Sequence, residues 1–319
     1  MASVSSNDQQ QKVVQEHSVG YQQTLRHYLL RIIYFAETVY LFVYDNLGEV
    51  VCMSYVFGAA HATIASKLSM GPDLHMAEIL PHTNRMILWS LSHLLIFNIQ
   101  NQRHPAAVAE DLRNKPWRPL PARRITPQMT TRLMFVIYPI ILLLSYHWGG
   151  MIPCLLLSFF CLWYNEWGGA SDPFLKNLLN GLGFACFYAG PLEVATRYPV
   201  FAGDGKAAIW LGILCCAITT TSHTQDFRDV EGDRAVGRKT VPLVVGDTVA
   251  RIMVAVGVAV WAIIACWFWG PAWTKILLAA VTGGTMVCSL FWYRTMEGDA
   301  FTWRLWAVWL LGLLILPMV

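Results

Sequence analysis

Apolar segments recur along this chain from about residue 46 to its end, and each is roughly 17 to 25 residues long. A helix of that length crosses a hydrocarbon core about 30 Å thick. Only 13% of the 319 residues are charged, about half the share that is usual in soluble domains. Much of the surface therefore does not face water, and the sequence predicts an integral membrane protein of many helices.

We predict an all-α membrane domain over residues 45–319, in which nine transmembrane helices form a bundle around one chamber. The polar residues 1–25 predict a disordered tail. Residues 26–44 are aromatic and amphipathic, which favours a helix that lies in the membrane interface. The predicted spans are 46–66, 82–102, 127–147, 150–166, 174–196, 206–224, 248–268, 272–292 and 300–318.

Lysine and arginine concentrate in the loops after the second and the sixth predicted span. The positive-inside rule places both loops in the cytosol. Because an even number of spans separates them, both loops lie at the same end of the bundle. The sequence therefore predicts two cytosolic helix-loop segments that cap the chamber.

The second basic loop also carries acids, and it reads "QDFRDVEGDRAVGRKTVP". Asp226, Asp229 and Asp233 are spaced i, i+3, i+7, which places three carboxylates on one face of a helix. Such close like charges repel unless a cation lies among them. Hard oxygen ligands favour Mg²⁺, which readily shares its ligands with phosphate. Arg228, Arg238 and Lys239 are close enough in sequence to take the remaining phosphate charge. The pattern therefore indicates a diphosphate held through metal, and a solvated turn of paired charges is the alternative.

The first basic loop, "FNIQNQRHPAAVAEDLRNKPWRPLPARRIT", passes in the same way from a helix end through acids to a basic cluster. Asn101 stands near the helix end, and Glu110 and Asp111 follow it. Lys115 and Arg118 are held by flanking prolines, which restrict the backbone beside each. The likeness of the two loops, four helices apart, indicates a weak internal duplication.

These loops resemble the motifs of the UbiA superfamily of intramembrane prenyltransferases. The second loop matches the family's Asp-x-x-Asp-x-x-x-Asp motif over residues 226–233 and continues as "GRKTVP". The first departs from the family's Asn-Asp-x-x-Asp-x-x-x-Asp motif, because Arg103, His104 and Ala107 stand at the positions before Asp111 that should hold Asn, Asp and Asp. This variant is similar to a fungal branch of the family that includes membrane-bound terpene cyclases.

The resemblance implies a Mg²⁺-dependent enzyme that binds an isoprenyl diphosphate and ionises its carbon–oxygen bond to an allylic cation. It implies that the metal ligands are Asn101, Glu110, Asp111, Asp226, Asp229 and Asp233. It implies that Lys115, Arg118, Arg228 and Lys239 bind the diphosphate. Tyr164, in "LWYNEW", resembles a family tyrosine near the diphosphate carbon, so the implied catalytic residues are Tyr164, Asn101, Asp111, Asp226, Asp229 and Asp233.

Aromatic faces stabilise a carbocation without attacking it. Aromatic residues near the cytosolic helix ends therefore suit the chamber wall, although an interfacial aromatic belt is the common alternative in membrane proteins. They are Phe97, Trp117, Phe159, Phe160, Trp163, Tyr164 and Trp167. In "FLKNLLNGLGF", Asn177 and Asn180 lie one turn apart and suit hydrogen bonds either to diphosphate or to a neighbouring helix.

Two enzymatic functions share the ionisation step. In a terpene cyclase the farnesyl or geranylgeranyl cation is captured by its own double bonds, whereas in a prenyltransferase it attacks an aromatic or quinone-precursor acceptor. The branch resemblance favours the cyclase. A transporter is disfavoured, because the charged residues cluster at one membrane face and not at mid-membrane depth.

The remaining composition restricts the partners. A net charge of +3 is too small to imply nucleic acid. The eight cysteines lie in apolar segments and require neither disulfides nor zinc. We expect an isoprenyl diphosphate and the lipid membrane as partners, with no obligate protein partner evident, and the branch resemblance suggests the endoplasmic reticulum.

Overall fold

The computed structural model describes residues 24–235 and 237–319. The predicted tail thus lies almost entirely outside the described residues. Within these ranges the chain is helical, without a β-strand. The α-helices are α1 (24–43), α2 (Met53–Ala62), α3 (Met76–Ile79), α4 (Thr83–Gln102), α5 (Pro105–Asn114), α6 (Pro127–Trp148), α7 (Met151–Asn165), α8 (Pro173–Thr196), α9 (Lys206–Thr221), α10 (Val230–Ala235), α11 (Val241–Val245), α12 (Asp247–Phe268), α13 (Trp273–Trp292) and α14 (Met296–Ile315).

Six of the described helices are long and apolar enough to cross a membrane. They are α6, α8, α12 and α13, together with α9 and α14 when each is taken with the 3₁₀ turn that follows it. The other three predicted spans are helical but shorter or more polar: α2 has 10 residues, α7 has 15, and α4 ends in "NIQNQ". The all-helical, multi-pass membrane architecture is confirmed, and the count of nine spans stays a prediction.

Helix α1 presents apolar side chains on its surface, and Ile32 is 64% exposed. Its last turn is buried instead, at Phe42. Arg124, in the segment before α6, contacts the exposed part of α1. The guanidinium carbon of Arg124 lies 4.2 Å from the centroid of the Tyr34 ring, and its Nη2 lies 2.7 Å from Glu37 Oε2. An exposed helix that is bound to the bundle through Arg124 agrees with the predicted helix over 26–44. Its position in the membrane interface stays a prediction.

The connection between α1 and α2 is irregular. A 3₁₀ turn, Tyr44–Asn46, leads into the π-helix Leu47–Cys52, and π-helical turns occur often at functional sites. Gln102 Nε2, at the end of α4, donates a hydrogen bond to the carbonyl oxygen of Phe42 at 3.1 Å. This irregular segment, residues 44–52, is thereby held beside the end of α4.

Helix α8 forms the centre of the bundle and packs against α2, α4, α7 and α9. Small residues allow helices to approach closely in membranes. A Cβ atom on Gly190 of α8 would lie 2.2 Å from the ring of Trp89. Trp89, which lies on α4, donates from Nε1 to Ser145 Oγ on α6 at 2.9 Å. Trp89 therefore connects α4, α6 and α8, and its ring fits against α8 because residue 190 is a glycine.

Hydrogen bonds between helix ends show how the bundle is arranged. Asn101 at the end of α4 donates to Asn165 at the end of α7, with an N–O distance of 3.1 Å. Arg251 at the start of α12 contacts Asp299 at the start of α14 at 2.7 Å and Leu290 O at the end of α13 at 2.8 Å. The ends of α4 and α7 thus lie together, and α12, α13 and α14 alternate in direction. The contact of Arg238 with Glu110 at 3.4 Å brings the two charged loops to the same end, as the sequence predicts.

We predict that Gly190→Ala lowers the free energy of unfolding by about 1–3 kcal/mol, because the added methyl group collides with the Trp89 ring. Gly284→Ala is the control, since a Cβ atom at that helical glycine meets no atom within 4 Å. Thermal unfolding in detergent measures both variants. Equal stability of Gly190→Ala and Gly284→Ala would contradict the packing described here.

Candidate active site

The two charged loops meet at one end of the bundle through Arg238. This residue follows α10 in the second loop, and its Nη1 lies 3.4 Å from Glu110 Oε1 in the first loop. The same nitrogen lies 3.6 Å from Asp233 Oδ1. One guanidinium therefore joins an acid from each loop. We refer to residues 101–118 and 226–239 together as the paired-loop site.

The second loop is not one continuous helix. A 3₁₀ turn over Ser222–Asp226 is followed by a turn at 227–229 and then by α10. Because a 3₁₀ turn has about 3.0 residues per turn, the i, i+3, i+7 spacing no longer aligns the three carboxylates. Asp226 and Asp233 are buried, whereas the side chain of Asp229 is 55% exposed. The predicted single helical face is therefore wrong, since two carboxylates are inside and one is outside.

A buried ion pair anchors the first of these carboxylates. Lys176 Nζ, in the first turn of α8, donates to Asp226 Oδ1 at 2.9 Å, and each side chain is 6% exposed. Sequence reasoning selected Asn177 and Asn180 in the same stretch and missed this lysine. A signal was available, because a lysine inside an apolar span is by default a functional candidate.

The carboxylates of the second loop interact electrostatically although they do not share one face. Burial raises the pKa of Asp233, and the charges of Asp226 and Asp229 raise it further. Arg238 and Lys176 oppose the rise in this pKa without cancelling it. The three carboxylates thus repel one another in spite of their separate faces.

Arg118 organises the first loop. Its Nη1 lies 3.0 Å from both carboxylate oxygens of Asp111, and its Nε donates to Asp45 Oδ2 at 2.8 Å. Arg118 is 8% exposed, so its charge is neutralised by two carboxylates away from water. Asp45 comes from the irregular segment, and no local pattern could have selected it, because 73 positions separate it from Arg118.

Two further groups of the first loop have shifted pKa values. Burial raises the pKa of Asp111, although Arg118 attracts its charged form. Burial also lowers the pKa of Lys115, with repulsion from Arg118 acting in the same direction and attraction to Asp45 opposing it. Lys115 Nζ lies 4.0 Å from Asp45 Oδ2, and its side chain is 37% exposed. Lys115 is therefore held near the network but open to a ligand.

The other predicted polar residues lie at the margin of this network. Asn101 bonds Asn165 between two helix ends. Arg228 Nε lies 3.2 Å from Asp229 Oδ2 on the surface of the second loop, and Lys239 is exposed. The paired-loop site thus has a buried interior of neutralised acids and a rim of accessible cations.

Tyr164 is the buried member of the predicted aromatic set. It lies beside Phe97 in an edge-on arrangement, with ring centroids 5.5 Å apart. Phe159 is 45% exposed and Trp167 is 60% exposed. The exposure of Phe159 and Trp167 is typical of an interfacial aromatic belt. The positions of Tyr164 and Phe97 are typical of a chamber wall inside the bundle.

Sequence reasoning missed two buried tryptophans on α14. Trp303 and Trp306 stack with ring centroids 4.5 Å apart. Trp303 Nε1 donates to Glu49 Oε1 at 3.0 Å, and Trp306 Nε1 donates to Thr221 Oγ1 at 2.8 Å. The stack is thereby fixed between the irregular segment and the end of α9. Nothing in the sequence distinguishes these two among 14 tryptophans.

A third buried ion pair supports the second loop from outside. Arg251 contacts Asp299 through both terminal nitrogens at 2.7 and 2.8 Å. Its guanidinium carbon also lies 4.2 Å from the centroid of the Phe227 ring. Because Phe227 adjoins Asp226 in the chain, this cation–π contact helps to fix the second loop.

The donor set of the paired-loop site fits Mg²⁺, because it consists of hard carboxylate and amide oxygens beside cations that suit phosphate. In residues 24–235 and 237–319, no three His, Cys, Asp or Glu side chains converge closely enough to hold a metal ion by themselves. Lysine and arginine neutralise the acids instead. The charges of Asp226 and Asp229 add to the effect of burial in raising the pKa of Asp233, and a bound cation would relieve that repulsion.

We predict that Lys176→Met lowers the free energy of unfolding by about 3–5 kcal/mol, because it leaves the buried Asp226 carboxylate without its partner. The double variant Lys176→Met/Asp226→Asn should lose much less, since no unpaired charge remains buried. Denaturant unfolding in detergent measures both losses. Equal losses in the single and the double variant would show that the pair is not coupled in the folded state.

Comparison with known proteins places this geometry in a family. The UbiA prenyltransferase family matches residues 85–315. The fumagillin beta-trans-bergamotene synthase af520 of Aspergillus fumigatus is 32% identical over 273 residues, which are 83% of this chain and 91% of that protein. The similarity thus extends over nearly the whole length of that relative.

Two proteins of Hericium erinaceus match a shorter part. The diterpene cyclase eriG is 30% identical over 193 residues, 57% of this chain and 58% of eriG. The polyprenyl transferase eriF is 30% identical over 177 residues, 53% of this chain and 57% of eriF. The chain therefore spans little more than half the length of each.

Solved structures share the fold at low sequence identity. A UbiA homologue from Archaeoglobus fulgidus, bound to GPP and Mg²⁺, has a TM-score of 0.59 and 11% identity, and the match covers 88% of this chain and all of that one. A digeranylgeranylglyceryl phosphate synthase also has a TM-score of 0.59, with 15% identity and coverage of 89% and 99%. The chain is a multi-pass membrane enzyme that belongs to the UbiA prenyltransferase family.

Proposed function

We propose that this protein is a Mg²⁺-dependent terpene cyclase that ionises farnesyl or geranylgeranyl diphosphate, captures the cation within the same molecule and releases diphosphate. The observation that carries the proposal is the paired-loop site, where Arg238 joins an acid from each loop at one end of the bundle. The similarity to a bergamotene synthase over 91% of its length supports cyclisation.

Each loop supplies oxygen ligands for metal in this proposal. Mg²⁺ bound there would neutralise charge that develops on the leaving diphosphate. The family neighbour bound to GPP and Mg²⁺ supports this use of the fold. The proposed ligands are Asn101, Glu110 and Asp111 in the first loop and Asp226, Asp229 and Asp233 in the second.

The buried acids are neutralised before any ligand arrives. Asp226 is paired with Lys176 through Oδ1 at 2.9 Å, and in this proposal the binding of another cation to Asp226 loosens that bond. The ammonium group of Lys176 is then left without its carboxylate at the start of α8. A bound diphosphate is the anion that satisfies it, because an unpaired buried charge is strongly unfavourable. In this proposal the Lys176–Asp226 pair thus links cation binding by Asp226 to diphosphate binding by Lys176.

The rim cations are suited to the phosphate oxygens. The side chains of Lys115 and Arg228 are 37% and 36% exposed, and Lys239 is exposed as well. These three can turn toward a ligand at small cost. Arg118 differs, because two carboxylates hold it and it is buried. We assign Arg118 a contribution through its charge and the positions of its acids.

Aromatic rings near the paired-loop site offer a surface for the carbocation. Tyr164 and Phe97 lie against each other beside Asn101, and Trp303 stacks on Trp306 at the end of α9. Attraction between a cation and an aromatic face contributes about 0.5–2 kcal/mol per ring. These rings favour delocalised positive charge without supplying a nucleophile.

Intermolecular prenyl transfer to an aromatic or quinone-precursor acceptor is the second candidate function. The similarity to the polyprenyl transferase eriF over 53% of this chain favours it. Every residue assigned above serves both reactions, because ionisation is common to them. The bergamotene synthase covers more of the chain, and for that reason we place the cyclase first.

We also propose that the paired-loop site faces the cytosol in the endoplasmic reticulum membrane. The basic residues of both loops support the cytosolic side through the positive-inside rule. The organelle follows from the resemblance of the first loop to the fungal branch of the family. A diphosphate substrate is water-soluble at its head group and reaches such a site from the aqueous side.

The direct test is an incubation without any acceptor. Membranes that contain the protein are supplied with Mg²⁺ and, separately, geranyl, farnesyl or geranylgeranyl diphosphate, and the hydrocarbon extract is examined by mass spectrometry. We predict a cyclic hydrocarbon from the farnesyl or the geranylgeranyl substrate. Recovery of only unreacted diphosphate would contradict the cyclase and turn the search to prenyl acceptors.

Asp229→Ala is the matched inactive variant in that incubation. We expect product formation to fall at least about 100-fold, because a proposed ligand of the Mg²⁺ that would neutralise the leaving diphosphate is lost. Stability should not change, since the Asp229 side chain is 55% exposed. Glu231→Ala is the control, because Glu231 is an exposed acid of the same loop outside the motif spacing. Similar product yields from both variants would overturn the proposed role of Asp229.

A further inference from the structure

We propose that Asp45 is a positioning residue that holds Arg118 and thereby frees Asp111 for the metal. This inference rests on the proposed function, because it needs Asp111 as a ligand. Asp45 lies outside residues 85–315, where the family match falls. It reaches the paired-loop site only through the irregular segment between α1 and α2.

The contacts define a shared cation with two acids. Arg118 directs Nη1 to both oxygens of Asp111 at 3.0 Å and Nε to Asp45 Oδ2 at 2.8 Å. The side chains of Arg118 and Asp111 are 9% and 8% exposed, so the contact between them is largely shielded from water. With both oxygens engaged, Asp111 coordinates a metal ion only by moving away from Arg118.

Releasing Asp111 would strand a buried guanidinium if it had no other carboxylate. Removing one partner from a buried ion pair is strongly destabilising. Asp45 keeps the guanidinium paired, because its bond to Nε lies on a different edge of the guanidinium from the bonds between Nη1 and Asp111. Arg118 therefore stays neutralised while Asp111 turns to a metal ion. Without Asp45, Arg118 would hold Asp111 in competition with the metal.

Asp45 is itself held in place. Trp117 Nε1 donates to Asp45 Oδ1 at 3.2 Å, and Lys115 Nζ lies 4.0 Å from Asp45 Oδ2. The backbone before Asp45 is fixed by the bond from Gln102 Nε2 to the carbonyl oxygen of Phe42. The acid thus has a defined position beside Arg118, as a positioning role requires.

Metal binding without turnover tests the inference. Purified protein in detergent is titrated with Mn²⁺ in the presence of inorganic diphosphate, and free Mn²⁺ is followed by electron paramagnetic resonance. We expect Asp45→Asn to weaken Mn²⁺ binding about tenfold or more, the size of effect that outer-shell partners have on metal affinity. Asp45→Glu should restore most of the affinity, because it keeps the carboxylate.

Glu37→Gln is the control for a purely structural effect. It also removes an ion pair between α1 and the segment before α6, at 2.7 Å to Arg124, but it does not touch Arg118. Its Mn²⁺ affinity should match that of the wild type. Equal weakening in Glu37→Gln and Asp45→Asn would overturn the inference, since any loosening of α1 would then suffice.

A double variant covers the case in which Asp45→Asn alone is unstable. In an Arg118→Gln background the guanidinium no longer holds Asp111, so adding Asp45→Asn should leave Mn²⁺ affinity unchanged. A further loss there would show that Asp45 acts by another route. If the wild type binds no Mn²⁺ with diphosphate, the proposed function itself fails, whereas wild-type binding with an unaffected Asp45→Asn rejects this inference alone.

Discussion

The pairing of buried carboxylates with buried cations is the interaction on which the rest of the site depends. Transfer of an unpaired charge into a membrane bundle costs several kcal/mol. Lys176 with Asp226 and Arg118 with Asp111 satisfy that requirement, and Arg238 joins the two loops between Glu110 and Asp233. The Lys176–Asp226 and Arg238–Glu110 contacts link segments that lie 50 and 128 positions apart in the chain. The pairs therefore both close the end of the bundle and assemble the acids in one place.

The same pairing explains how a site with several acids can accept a polyanion. Each acid is held by a cation, so the loops are neutral enough to stay folded. In the proposed function, the acids of both loops would hold the metal, and the cations released from those acids would bind the phosphate oxygens. Asp45 extends this scheme, since it keeps Arg118 paired during the exchange. The aromatic rings lie nearby, where the separated cation would form.

Local sequence patterns predicted the helices and the two charged loops. Apolar segment length predicted an all-helical membrane protein, and the basic residues of both loops, with an even number of spans between them, predicted that both loops share one end. The spacing of Asp226, Asp229 and Asp233 did not give their arrangement, because a 3₁₀ turn interrupts the helix that the spacing presumes. Lys176 could have been predicted as a functional candidate from the sequence, because it is an isolated charge in an apolar span.

Asp45, Glu49 and Trp303 were beyond the reach of local patterns. Their partners lie 73 positions away for Asp45 and 254 for Glu49, and no local spacing encodes such contacts. The irregular segment that carries both acids has the composition of an ordinary helix start. Only the packed structure shows that it is a third component of the site.

The most direct test of this account is a structure of the protein with Mn²⁺ and an unreactive thiolo analogue of farnesyl diphosphate, in which anomalous scattering locates the metal. The account predicts Mn²⁺ between the two loops, in contact with oxygens of Asp226 and Asp233, and Lys176 turned from Asp226 toward the diphosphate. Analogue bound with no metal between the loops, and with the Lys176–Asp226 bond intact, would contradict it.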